Sequence, residues 1–172
     1  MGRGRTVLYV GLGVAACAAA AFAVVGRERI WRLAAGPADL GAVDFASLEP
    51  APHVNGYVVC PDEFCPPRAA DETAPVFDVS ADRLFTIVEG VAAREPRTER
   101  VDPGGDPLRA RYVVRSHLMR FPDTVSVEVV PLGPDRSSVA IFSRANLPGY
   151  DWGVNRARVE RWLSEIETAA AG

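Results

Sequence analysis

Lysine is absent from this chain: all 19 basic residues are arginine. A P-loop grips phosphates with a lysine, and Schiff-base chemistry needs one, so both are excluded. Histidine is nearly as scarce. With only His53 and His117, a three-histidine zinc site cannot be built. An excess of positive charge is missing too: the formal net charge is -3, which gives nucleic acid no footing as a partner. No internal repeat is visible. Apolar residues are in ordinary supply at 48%, enough over 172 residues for one folded domain and an appendage.

The appendage is at the amino end. Arg3 and Arg5 precede an uncharged apolar run over residues 6–26, and Arg27, Glu28 and Arg29 follow it. About 21 apolar residues in a helix match a hydrocarbon core of roughly 30 Å. A helix also bonds all of its own backbone groups in lipid. The run predicts one transmembrane helix, with the lipid bilayer as its partner through residues 6–26. Two cleaved alternatives stand beside it. A secretory signal has a shorter apolar core. A lipoprotein signal would use Cys17 in "VAAC", yet the chain stays apolar after that cysteine. Arginines flank both ends, so they set no clear orientation. A short tail inside and a large domain outside is the usual arrangement. The expectation is therefore a single-pass protein of the inner (cytoplasmic) membrane with its domain on the periplasmic side.

Three segments follow from composition: an anchor over 1–29, a Pro/Gly-rich linker and extended segment over 30–74, and a compact domain over 75–172. In "NGYVVCPDEFCPP", Cys60 and Cys65 could close a small disulfide loop outside the cytoplasm. A metal pair there lacks further ligands. "VFDVSADRLFTIVEGVAAREP" reads as a strand entering a helix, with Ser80 as its cap and Leu84, Ile87, Val88 and Val91 on one face. Pro96 stops it. "RTERVD", "LRARYVVRS", "TVSVEVVPL" and "SSVAIFSR" follow as strands, several alternating with period two and joined by tight turns. A last helix runs from about Gly153 to Ala169. The predicted fold class is α+β: an antiparallel sheet of three to five strands flanked by two helices and preceded by one transmembrane helix.

On the last helix Val159, Trp162, Leu163 and Ile166 form one apolar stripe, and Asn155 points to the same buried side. Asp151 stands where it can cap the helix. Arg144 is close enough in sequence to pair with Asp151 by two parallel hydrogen bonds. Arg156 with Glu160, and Arg161 with Glu165, have the spacing of helical ion pairs.

"FPDTVSVEVVP", "IFSR" and "YDWGVNRARVERWL" resemble the bacterial and plant family named domain of unknown function 1499. The resemblance covers about residues 54–163. Its most specific run matches at Ser143, Arg144, Asp151, Gly153, Val154, Asn155, Arg156, Arg158, Val159 and Glu160. Arg115 with Ser116, and Phe121 to Asp123, match further motifs. Ala145 and Asn146 stand where the family usually repeats its Ser-Arg pair. The resemblance implies a small domain, often behind a membrane or export segment, and brings no known reaction, substrate or cofactor.

The function expected is a membrane-anchored cell-envelope protein acting as a non-catalytic binding or structural module, with no cofactor. Its site would be the polar patch of Arg115, Arg120, Asp123, Arg144, Asp151, Asn155 and Arg158, whose arginines suit a small anionic ligand. One alternative is an enzyme using the Asp/Arg/Asn cluster, with Asp123 and Asp151 as acid and base. Ser116 and His117 are a weaker pair, since strand neighbours point to opposite faces. A second alternative is an accessory subunit of a membrane complex, for which Gly11 and Gly13 would allow close helix contact with a membrane-protein partner.

Overall fold

Alternating apolar residues on two long strands build the centre of the molecule, seen here in a computed structural model that describes residues 10, 13, 14, 17, 26–50, 55–147, 149 and 151–172. In chain order the elements are α1 (Arg27–Ala35), β1 (Gly56–Cys60), β2 (Glu72–Thr73), β3 (Val76–Phe77), α2 (Ala81–Arg94), β4 (Thr98–Arg100), β5 (Arg109–Arg115), β6 (Pro122–Gly133), β7 (Arg136–Ala145) and α3 (Val154–Ala170). The sheet order is β2-β1-β7-β6-β5-β4. β3 continues the edge of β7 below β1, pairing with Ser137 and Ser138, while β1 pairs with residues 141–144.

Period two sends Val125, Val127 and Val129 of β6, Val139 and Ile141 of β7, and Ala110, Tyr112 and Val114 of β5 to one face. Both long helices cover that face. α2 buries Leu84, Val88 and Val91, and α3 buries Val159, Trp162 and Ile166. Trp162 meets Tyr112 edge to face, with centroids 5.9 Å apart. Emptying a site such as that of Trp162 costs about 3–5 kcal/mol. Ser80 caps α2 by accepting from the Arg83 amide at 3.4 Å.

The opposite face carries a smaller cluster of Phe45, Val58, Cys60, Ala140 and Phe142. Cys60 is bonded to Cys65 with their Cα atoms 6.2 Å apart, which holds the following loop over this cluster. At Gly56 an added Cβ would lie 2.8 Å from the Phe142 ring and 3.2 Å from the Ser143 carbonyl oxygen, so β1 can approach β7 there only as glycine.

The expected fold is corrected in three respects. The sheet has seven strands rather than three to five, and it is mixed, because β1 and β2 run parallel. The two expected flanking helices are α2 and α3, and a third, α1, precedes the sheet. The run expected to span a membrane, with its Gly11 contact, lies largely outside the described residues. Among the described residues no helix is long and apolar enough to cross a membrane. The described helix nearest that run, α1, has nine residues, about 13 Å at 1.5 Å per residue. It begins at the arginines flanking the run and lies on the β5–β6 loop, where Trp31 packs against Phe121 with the rings tilted and their centroids 4.5 Å apart, and donates to the Met119 carbonyl at 2.6 Å.

Residues 37–45, read from composition as linker, form a strap across the second face. Thr124 holds it: its hydroxyl accepts from the Leu40 amide at 3.1 Å. The same hydroxyl lies 3.2 Å from the Ala38 carbonyl and 3.1 Å from Asn146 Oδ1, and has one proton to donate between them. Asn146 also donates to the carbonyls of Pro37 and Ala38. Arg111 grips Asp39 with two bonds of 2.7 and 2.9 Å. Removing the hydroxyl in Thr124→Val leaves the Leu40 amide unpaired. We expect a loss of about 1–2 kcal/mol and faster amide exchange confined to the strap, read by hydrogen-exchange mass spectrometry. Unchanged exchange at Leu40 would show that the strap is held by other means.

Candidate functional site

The start of α3 is where the chain brings its buried polar groups together. Asp151 accepts from the Gly153 amide at 3.1 Å and from the Asn155 amide at 3.1 Å, so it caps the helix as the sequence predicts. Asn155 then turns into the sheet with no exposed surface. Its amide nitrogen donates to Asp151 at 2.8 Å and to the Asn55 carbonyl at 3.2 Å. Its oxygen accepts from Ser143 at 2.6 Å and from Arg158 at 2.8 Å. All the hydrogen-bonding positions of that side chain are filled.

Arg158, one turn on, is 5% exposed and carries the only cation of this network. It donates to Ser143 Oγ at 2.8 Å and to Asp123 at 2.7 Å. Its Nε is buried with no partner among the described residues. Asp123, at the start of β6, is itself 9% exposed. Burial pushes its carboxyl above the ordinary 3.8; the charge and hydrogen bond of Arg158 oppose this, and the nearby Asp151 charge adds to it. Asp151 moves the other way. Burial would raise it, but the bonds from Asn155 and Gly153 and the Arg158 charge outweigh that and hold it below 3.8.

The predicted site residues thus divide between the two faces. Asp123, Asp151, Asn155 and Arg158 come together on the helix side. Arg115, Arg120 and Arg144 do not join them. Arg144 follows Ser143 and so points to the other face. There it donates to the carbonyls of Leu40 at 3.3 Å and Gly41 at 3.0 Å, not to Asp151 as expected. Burial holds its pKa below the ordinary arginine value, with Arg111 adding to this and Asp39 opposing it. Arg115 pairs with Glu99 at 3.1 Å, and Arg120 with Glu28 of α1 at 2.8 Å. On the outer side of α3, Arg156 pairs with Glu160 at 2.7 Å as expected. Arg161 reaches Glu95 at 2.6 Å instead of Glu165, which takes Arg94 at 3.1 Å, so these pairs tie α3 to α2.

A cavity of about 320 Å³ opens beside the network. Asp123 and Asp151 line it together with apolar Phe121, Leu147, Trp152 and Val154. Trp152 was not singled out as a site residue. It is 86% exposed and held at φ 56, in the left-handed region that a bulky side chain rarely adopts. The signal in the sequence was an aromatic residue in a Gly-rich turn between strand and helix. Ser143, central to the network, was legible from strand parity, since it lies opposite Val125 on β6. Among the described residues no group of three His, Cys, Asp or Glu could hold a metal ion.

The chain belongs to the family described as protein of unknown function (DUF1499), whose model matches residues 39–166. No curated protein matches it. Solved structures overlap it in part, two of them as follows. A START superfamily protein from Mycobacterium smegmatis does so at 16% identity with a TM-score of 0.36, over 56% of this chain and 90% of that one. The Zhui aromatase/cyclase from Streptomyces sp. R1128 does so at 11% identity with a TM-score of 0.27, over 56% of this chain and 84% of that one.

The opposite shifts of the two aspartates set a pH dependence. The depressed Asp151 contributes stability that is complete above 3.8 and lost as pH falls through its folded value. Asp123, being raised, acts in the other sense: its contribution is present below 3.8 and is lost as pH rises through its folded value. We expect the stability gap between the native chain and Asp151→Asn to narrow as pH falls below 3.8, measured by denaturant unfolding across pH. A gap independent of pH would contradict the assignment.

Proposed function

We propose that this domain is a non-catalytic binding module whose cavity beside α3 holds a small, mostly apolar molecule bearing a protonated amine. One observation carries the reading: a buried carboxyl, Asp123, and a strained, exposed aromatic, Trp152, line the same apolar hollow. Backbone strain of this kind persists where the surroundings over-determine it, and it clusters at ligand clamps.

The charge of the hollow favours a cation. Asp123 gives one oxygen to Arg158, and among the described residues no donor reaches the other. The arginines that would draw an anion are engaged: Arg158 by Asp123, Ser143 and Asn155, and Arg144 by the strap carbonyls. The two aspartates have the divergent pKa values of an acid and base pair. Both oxygens of Asp151 nevertheless accept from the first turn of α3, which supports a cap rather than a base. Ser116 likewise has its hydroxyl on the Phe121 amide at 2.9 Å rather than beside a general base. The Cys60–Cys65 bond supports work in an oxidising compartment outside the cytoplasm.

Benzylamine and benzoate are matched probes of opposite charge. We expect benzylamine to bind in the millimolar range and to shift the Trp152 indole resonance. Its affinity rises as pH climbs through the folded pKa of Asp123, because the ionised carboxylate is the partner. Asp123→Asn abolishes the response. Preferential binding of benzoate, or no response of Trp152 to either probe, would overturn the reading.

A further inference from the structure

The second face of the sheet carries a separate cavity of about 240 Å³, roofed by neither helix. Its floor is two cross-strand pairs, Arg111 opposite Ser126 and Arg109 opposite Glu128. The strap at Val43 forms one wall and the β4–β5 turn at Asp102 the other. Ser126 is 5% exposed, and its hydroxyl has no partner among the described residues. A buried hydroxyl left unmade costs about 1–3 kcal/mol, so a ligand group or water belongs there.

The surrounding charges are already fixed by one another. Arg109 donates to Glu128 at 2.7 Å, and Arg111 holds Asp39. Asp102 accepts from the Arg111 amide at 2.8 Å and from Arg100 at 3.0 Å. These pairs keep the walls rigid before any ligand arrives, which lowers the entropy lost on binding. They also leave the lining with one carboxylate in excess, which disfavours an anion: the guanidinia of Arg109 and Arg111 stand beside the carboxylates of Asp102, Asp106 and Glu128. Glu128 has a second oxygen that no described residue donates to. The hollow therefore offers donors and acceptors in alternation, one unsatisfied hydroxyl, and an apolar side at Val43. Its volume equals about eight waters at roughly 30 Å³ each.

We propose that this cavity binds a neutral polyhydroxyl molecule the size of a single sugar ring, with the Ser126 hydroxyl as its buried partner. Ligand hydroxyls both donate and accept, which suits that alternation; a free anion would meet the carboxylates. The proposal is independent of the amine site, which lies on the opposite face.

The test is an NMR titration of the full chain with glucose, galactose, N-acetylglucosamine and myo-inositol, with inorganic phosphate as the anionic control. At least one of the four polyols should bind in the millimolar range and shift the amides of Ser126, Glu128 and Val43. Ser126→Ala should weaken it about fivefold to tenfold, the worth of one hydrogen bond. Ser126→Val, which suits a strand and fills the hollow, should abolish it while benzylamine binding on the other face is retained. Binding of phosphate alone, no shift with any of the four, or equal affinity in Ser126→Ala would each overturn the proposal.

Discussion

A cation enclosed by protein is the constraint around which this domain is arranged. Arg158 has almost no contact with water, so its charge has to be met by the chain itself. Asp123 from β6, Ser143 from β7 and Asn155 from the same helix do so. The bonds fix both the rotation of α3 and its position along the sheet, and the Asn155 bond to Asn55 extends that to the start of β1. A buried ion pair is a weak source of stability, since desolvation offsets most of its attraction. What this one adds is placement: the apolar stripe of α3 alone would allow sliding over a surface of valines. The orphaned Nε of Arg158 and the raised carboxyl of Asp123 are the energetic cost of that placement.

The same arrangement produces the hollow beside α3. Asp123 must reach Arg158 from the start of β6, and the chain after β7 enters α3 through its cap Gly153, φ 76. That entry throws Trp152 outward and leaves a space bounded by Phe121 and Leu147. On the other face neither α2 nor α3 covers the sheet. The strap does so partly, held by Thr124, Asn146, Arg111 and Arg144. Where the strap ends short of the β4–β5 turn, the second cavity is left over polar strand residues.

How much of this was legible in the sequence depended on whether a feature repeats along the chain. α2, α3 and the alternation of β5, β6 and β7 come from periodic apolar residues, and the capping roles of Ser80 and Asp151 come from their positions. β2 and β3 have two residues each, too few to show a period. The strap has none, because its partners lie 72 to 109 residues away and are reached mostly through its backbone groups. The site residues were grouped by nearness to strand ends. Parity along β7 already separates Ser143 from Arg144, so the division of the arginines between two faces could have been read. The cavities could not, since they arise from tertiary packing.

A double-mutant cycle on Asp123 and Arg158 bears most directly on the enclosed cation. We predict that Asp123→Asn costs about 3–5 kcal/mol, because it strands a guanidinium that cannot give up its proton, and that Arg158→Met costs less, because the buried Asp123 carboxyl it leaves behind can take up a proton. The double variant should recover part of that loss, giving a coupling energy of about 1–3 kcal/mol by denaturant unfolding. Additive effects of the two substitutions, with no coupling, would mean that α3 is positioned by its apolar stripe alone.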